Sequence, residues 1–181
     1  PMRLFIAIDI PEDVKEQLVK IQEAIDTTKN KIRLVNKDNI HLTLKFLGEI
    51  EESKLELLED KLNNIKSRQL ELTLENLGVF PDEKYINVIW IGIKENKNLF
   101  SLQNLIDEST IDISKESMKF VSHLTLARVK QIKDKKEFLK ILKSIKVENI
   151  KFKITEFRLF KSILRIEGPE YLLLKTYNLE E

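Results

Sequence analysis

The chain has 181 residues, with 31 Lys and Arg against 30 Asp and Glu, a net charge of +1, and no cysteine. That balance excludes the broadly basic surface of a nucleic-acid-coating protein, and the missing cysteine excludes disulfides, thiolate metal centres and a cysteine nucleophile. The length fits one domain over residues 2–181, or two small lobes sharing a site, and no apolar run is long enough to cross a bilayer, so a cytoplasmic protein is expected.

Pro1 precedes what reads as an initiator Met2 and is left out of the fold reading. Arg3 to Asp9 is a short apolar run that predicts a buried strand, and Pro11 is placed for the first turn of a helix. Val14, Leu18, Ile21 and Ile25 recur at helical spacing and predict an amphipathic helix ending near Thr28. Lys31 to Val35 predicts a short edge strand, and Ile40 to Leu47 a longer strand closed by Gly48. Glu49, Glu51 and Glu52 are expected to open a second helix, where acidic groups suit the N-terminal dipole, with Leu55, Leu58, Leu62 and Ile65 facing inward. Leu70, Leu72 and Leu74 alternate with polar residues as in a half-exposed strand, and Gly78-Val79-Phe80-Pro81 predicts a turn after it.

The second half repeats this order. Tyr85 to Gly92 predicts a strand, Leu99, Leu102, Leu105 and Ile106 a helix, Lys119 to Val129 a strand, and Phe138, Leu142 and Ile145 another helix. Val147 to Phe160 reads as one long strand with a bulge between Ile154 and Phe157, where the apolar phase changes. Leu172 to Tyr177 predicts the last strand, after Gly168-Pro169. Strand, helix, strand, helix, strand thus occurs twice, which points to an internal duplication and two related lobes. Lys133 to Lys136 is read as a solvated helix start.

The duplication carries a motif. His41-Leu42-Thr43-Leu44 recurs as His123-Leu124-Thr125-Leu126, and these are the only two histidines. In a strand, His and Thr two residues apart share one face, while the leucines anchor the other. Two imidazoles held near neutrality can divide acid and base work, one removing a proton and the other supplying one. Cleavage of a 2′,3′-cyclic phosphate needs that pair together with neutral donors such as Thr43 and Thr125 for the phosphoryl oxygens. No metal or cofactor is expected: zinc would need further His or Cys ligands, and a Ser-His-Asp hydrolase would need a nucleophile elbow that is missing. Two hydrogen-bonded core histidines, and threonines chosen for strand propensity, are the alternatives in which the motif has no chemistry.

The doubled motif resembles the two-histidine (2H) phosphoesterases, in particular the LigT-like RNA 2′,3′-cyclic phosphodiesterases, also called 2′-5′ RNA ligases. The resemblance covers almost the whole chain. Arg3-Leu4-Phe5-Ile6-Ala7-Ile8, Leu44-Lys45-Phe46-Leu47-Gly48, Gly78-Val79-Phe80-Pro81, Trp90-Ile91-Gly92, Ala127-Arg128, Ser162-Ile163-Leu164 and Gly168-Pro169-Glu170-Tyr171 are similar to the family pattern. Ser122 departs from it, since many relatives carry proline before the second motif. The resemblance implies an α+β, bilobal, pseudo-duplicated fold of two antiparallel sheets with outer helices and a central groove carrying both motifs. It implies hydrolysis of RNA 2′,3′-cyclic phosphate ends to 2′-phosphates, with reversible 2′-5′ ligation in some relatives. His41 would be the proton donor and His123 the proton acceptor, roles the residues themselves do not distinguish. Thr43 and Thr125 would hold the phosphate. Arg128 is a further candidate contact if a bulge or twist brings it off the leucine face, and Lys45, on the His41 face by strict alternation, is a weaker one. The expected partners are RNA ends or small nucleotides with a 2′,3′-cyclic phosphate, with no membrane, bound by a monomer. A non-catalytic RNA-end binding module is the alternative.

Overall fold

A computed structural model of the chain describes residues 1–25, 29–114, 116 and 119–181. In chain order the elements are β1 (Met2–Asp9), α1 (Glu12–Glu23), β2 (Lys31–Leu34), β3 (His41–Ile50), α2 (Leu55–Asn63), β4 (Leu70–Pro81), β5 (Ile86–Ile93) and α3 (Lys97–Thr110). They continue with β6 (His123–Gln131), α4 (Lys135–Ser144), β7 (Lys151–Ile154), β8 (Glu156–Arg165) and β9 (Gly168–Asn178). The strands form two antiparallel sheets, ordered β3-β1-β8-β9 and β2-β6-β5-β4-β7.

The duplication is visible in the pairing. β1 lies between β3 and β8 as β5 lies between β6 and β4. Ala7 pairs with Thr43 on one side and Arg158 on the other, as Trp90 pairs with Thr125 and Gly78. The fourth strand of each half therefore joins the sheet founded by the other half: β4 lies beside β5, and β8 beside β1. Each sheet keeps the His-bearing strand of its own half, and the exchange ties the halves together. Leu42, Leu44, Leu124 and Leu126, all nearly inaccessible to solvent, meet Val14 and Leu18 of α1, Leu58 and Leu62 of α2, and Leu99, Leu102 and Ile106 of α3 in one continuous core. α4 covers a smaller cluster with Phe138 and Leu142 against Ile89 and Ala127. Asn96 and Asp134 cap α3 and α4, each side chain accepting a hydrogen bond from the backbone of the third residue on.

Several expectations are corrected. The stretch from Val147 to Phe160 is not one bulged strand: β7 ends at Ile154 in the five-stranded sheet and β8 begins at Glu156 in the other. The apolar phase changes there because Phe152 and Ile154 answer to one sheet and Phe157 and Leu159 to the other. Gly48 does not close β3 but lies inside it, at φ +75°, where Leu4 pairs with Gly48 and Phe5 with Phe46, so that Leu47 is an extra residue. Glu49 belongs to β3, Glu52–Lys54 forms a single 3-10 turn, and α2 starts only at Leu55. Gly78-Val79-Phe80-Pro81 is the end of β4 rather than a turn. β6 begins at His123 and not at Lys119. α1 ends at Glu23, and the expected end near Thr28 lies outside the described residues. β2 is an edge strand, as its length and composition suggested. Among the described residues no helix is long and apolar enough to cross a membrane.

Candidate active site

Both motifs end in the same irregularity. Thr43 pairs with Ala7 and Lys45 with Ile6, which leaves Leu44 as an extra residue, and Thr125 pairs with Trp90 and Ala127 with Ile89, which leaves Leu126 extra. The last leucine of each tetrapeptide is thus a β-bulge that reverses the alternation of the strand. Before it, each His and Thr share the half-exposed face, with the leucine between them buried. After it, Leu44 and Lys45 are buried together, as are Leu126 and Ala127, and the next residue, Phe46 or Arg128, returns to the outer face.

The bulges decide the two secondary candidates. Arg128 comes onto the face of His123 and is exposed, and its side chain makes no hydrogen bond or ion pair among the described residues. Its charge adds to the burial that lowers the pKa of His123 and opposes the burial that raises that of Tyr171, which places it in the groove between the two sheets. Lys45 is turned away from the His41 face that strict alternation assigns it. Its side chain is 6 % exposed, and Nζ lies 2.8 Å from Asp107 Oδ1 and donates to Thr110 Oγ1 at 2.9 Å, both on α3.

Each imidazole is held from behind by aromatic rings and by the backbone two residues upstream. His41 packs against Phe160, Tyr171 and Phe5 at ring-centroid distances of 4.8, 5.3 and 6.1 Å, with the Asn39 backbone close enough to favour its protonated form. His123 packs edge-on against Phe80 at 5.0 Å and Trp90 at 6.2 Å, and its Nδ1 lies 2.6 Å from the Val121 carbonyl oxygen. By strand register Phe160 and Phe80 are pseudo-equivalent, so both halves seat the histidine on the same residue type. A carbonyl oxygen only accepts, so Nδ1 of His123 carries the hydrogen and the Nε2 lone pair of the neutral ring is left for chemistry. Burial lowers the pKa of His41 to about 4, against a smaller upward pull from Asp9. Burial also lowers His123, opposed by the Val121 hydrogen bond and reinforced by Arg128. Both rings are neutral at pH 7 in the free protein.

β3 and β6 approach one another, and Thr43 and His123 line one cavity of about 240 Å³ together with Phe46, Phe80, Phe120 and Lys119. Sequence reasoning did not single out Trp90, Phe160 or Tyr171 as parts of the site. The signal for Trp90 was Gly78: a Cβ there would stand 2.3 Å from two atoms of the indole, so glycine is what lets the ring lie beneath His123. Tyr171 and Phe160 had no local signal, since they reach His41 only through the pairing of β8 with β1 and β9.

A pseudo-duplicated α+β fold that gives one His-x-Thr strand to each of two antiparallel sheets defines a two-histidine phosphoesterase. Comparison with known proteins agrees. The family model described as LigT like Phosphoesterase matches residues 8–90 and again 91–171, one copy for each half, and the chain belongs to this family. It is 40% identical over 179 residues to a protein of Methanocaldococcus jannaschii named RNA 2′,3′-cyclic phosphodiesterase, covering 97% of this chain and all of that protein. Among solved structures it resembles E. coli LigT in apo form, with a TM-score of 0.81 at 27% identity over 100% of this chain and 99% of the other. It also resembles E. coli LigT complexed with 3′-AMP, with a TM-score of 0.79 at 26% identity and the same coverage.

Proposed function

We propose that this protein is an RNA 2′,3′-cyclic phosphodiesterase that opens the cyclic phosphate to a 2′-phosphate by acid-base catalysis between His41 and His123, within one domain over residues 2–181. The observation that carries the reading is the paired geometry: two imidazoles on pseudo-equivalent strands, each with a threonine beside it and aromatic rings behind it. The name of the M. jannaschii relative and the 3′-AMP complex of LigT support nucleotide phosphates as the substrate class.

In this mechanism Nε2 of His123 takes a proton from the attacking water, and the new P–O bond forms as the bond from phosphorus to the ribose 3′ oxygen breaks. His41, which takes up a proton as the anionic phosphate binds, delivers it to that departing oxygen. Thr43 and Thr125 donate hydroxyl hydrogen bonds to the phosphoryl oxygens, and the Arg128 guanidinium neutralises their charge. Lys45, held by Asp107 and Thr110 at the cavity wall, contributes at most through the field of its ion pair. Ligation through a 2′-5′ linkage is the same proton traffic in the same direction, with a 5′-hydroxyl in place of water, and its reversal cleaves that linkage.

The test is turnover of a short RNA ending in a 2′,3′-cyclic phosphate, with chelator present, by wild type, His41→Ala and His123→Ala. The expected product is the 2′-phosphate, and each substitution is expected to cost at least ~100-fold in kcat, the lower range for losing a general acid or base. No turnover by wild type that still binds the RNA end would replace the enzyme by an end-binding module, and activity lost to chelator and restored by zinc would overturn the metal-free mechanism.

A further inference from the structure

The two halves seat each imidazole on a pseudo-equivalent phenylalanine and differ in the charges behind it. Strand register makes Asp9 the counterpart of Gly92, since Asp9 pairs with His41 and Gly92 with His123. It makes Arg158 the counterpart of Gly78 and Ala7 the counterpart of Trp90. Where the second half lays an indole over a glycine, the first half pairs an arginine with an alanine and sets a carboxylate opposite the histidine. That carboxylate is fixed: Asp9 Oδ1 lies 2.9 Å from Lys15 Nζ, and Oδ2 accepts from Arg158 at 3.1 Å. Glu156 in turn accepts from Arg158 Nε at 2.6 Å. The Lys15 side chain is only 5 % exposed, so the network is built into the fold rather than spread on its surface. Beyond the bulge the asymmetry has the other sign, because the position of Arg128 beside His123 is taken in the first half by Phe46.

We propose that Asp9, held by Lys15 and Arg158, is a positioning residue that seats the single proton of the substrate-bound histidine pair on His41, while Arg128 and the uncharged Trp90 floor keep His123 the base. This rests on the cyclic-phosphate reading above and gives the two roles a physical cause. Burial keeps both rings neutral in the free protein. A phosphate anion between them favours one added proton, and fixed charges decide which ring takes it. The groups facing His41 are Asp9 from β1, Lys15 from α1, Arg158 with Glu156 from β8, and Tyr171 from β9, with Arg128 across the groove. Asp9 favours the imidazolium, and Lys15 and Arg158 oppose it. His123 has Arg128 against it and, among the described residues, no carboxylate that raises it.

The chain has only two histidines, so ring resonances of isotope-labelled histidine can be followed through pH in the full-length protein saturated with inorganic phosphate. Burial lowers His41 further than His123 in the free protein, and the phosphate complex of wild type is expected to reverse that order, with His41 titrating above His123. Asp9→Asn should lower His41 by about one pH unit, the size of a single well-placed charge effect, and leave His123 in place. Lys15→Met and Arg158→Met should raise His41, and this opposite sign is what a merely structural role would not give. If Asp9→Asn fails to fold because Lys15 is left bare, the double variant Asp9→Asn with Lys15→Met and the single Arg158→Met carry the test. The proposal is overturned if His123 titrates above His41 in wild type, if Asp9→Asn moves both rings together or neither, or if the charge-removing variants shift His41 in one direction. Turnover separates this from the parent reading: Asp9→Asn should lower kcat roughly tenfold with KM held. A wild type without turnover removes the enzyme while the titrations still decide where the proton sits.

Discussion

Lowering the pH from 7 to 4 should destabilise this protein through His41 in particular, and replacing that ring by phenylalanine should remove the effect. The unfolded chain binds a proton at His41 near pH 6.5, whereas the folded chain resists until about pH 4, because the ring is buried against Phe5, Phe160 and Tyr171. The sign follows from linkage. Above pH 6.5 neither state is protonated and His41 contributes no pH dependence. Between 6.5 and 4 the unfolded state holds the extra proton, so stability falls as pH falls, and below 4 the loss is complete. At about 1.4 kcal/mol per pH unit the full loss is up to about 3 kcal/mol. His41→Phe keeps a ring among the same three aromatics and cannot titrate. Urea unfolding at several pH values between 7 and 4 should therefore show the two proteins diverging, the variant gaining up to about 3 kcal/mol relative to wild type by pH 4. His123 and the carboxylates act on both curves and cancel in the difference. Parallel curves over this range would refute the reasoning and mean that the folded ring protonates as readily as the unfolded one.

Three further outcomes test other parts of the site. Gly78→Ala would put a methyl carbon 2.3 Å from the Trp90 ring, so the indole must move; a loss of about 1–3 kcal/mol by thermal unfolding and a shifted emission of this sole tryptophan are expected, and an unchanged spectrum would count against the packing described. Asp107→Ala strands the buried Lys45 ammonium and should cost about 3 kcal/mol in urea unfolding, whereas Lys45→Met should be close to neutral; equal losses from both would show that the pair, rather than the uncompensated charge, is what matters. Arg128→Gln should raise KM by roughly tenfold or more, as for a lost charge-assisted hydrogen bond, and reduce the salt dependence of KM by about one phosphate contact. A fall in kcat with KM and its salt dependence unchanged would remove Arg128 from substrate binding.

Much of the chemistry was legible in local sequence. The repeated His-x-Thr tetrapeptide marked both strands, their half-exposed faces and the duplication, because alternation in a strand is a property of adjacent residues. The helices α1, α3 and α4 followed from apolar spacing for the same reason. Tertiary structure decided what depends on which strand lies beside which. The apolar phase change near Thr155 gave no sign that the chain leaves one sheet for the other there, nor that β4 and β8 change places between the halves. The bulges at Leu44 and Leu126 exist only against Ala7 and Trp90 across the ladder, and they alone turn Arg128 toward the groove and Lys45 toward Asp107. Asp9, Lys15 and Arg158 read as ordinary charges along the chain. A charge acquires its function from the partner and the dielectric around it, and both are set here by residues far away in sequence.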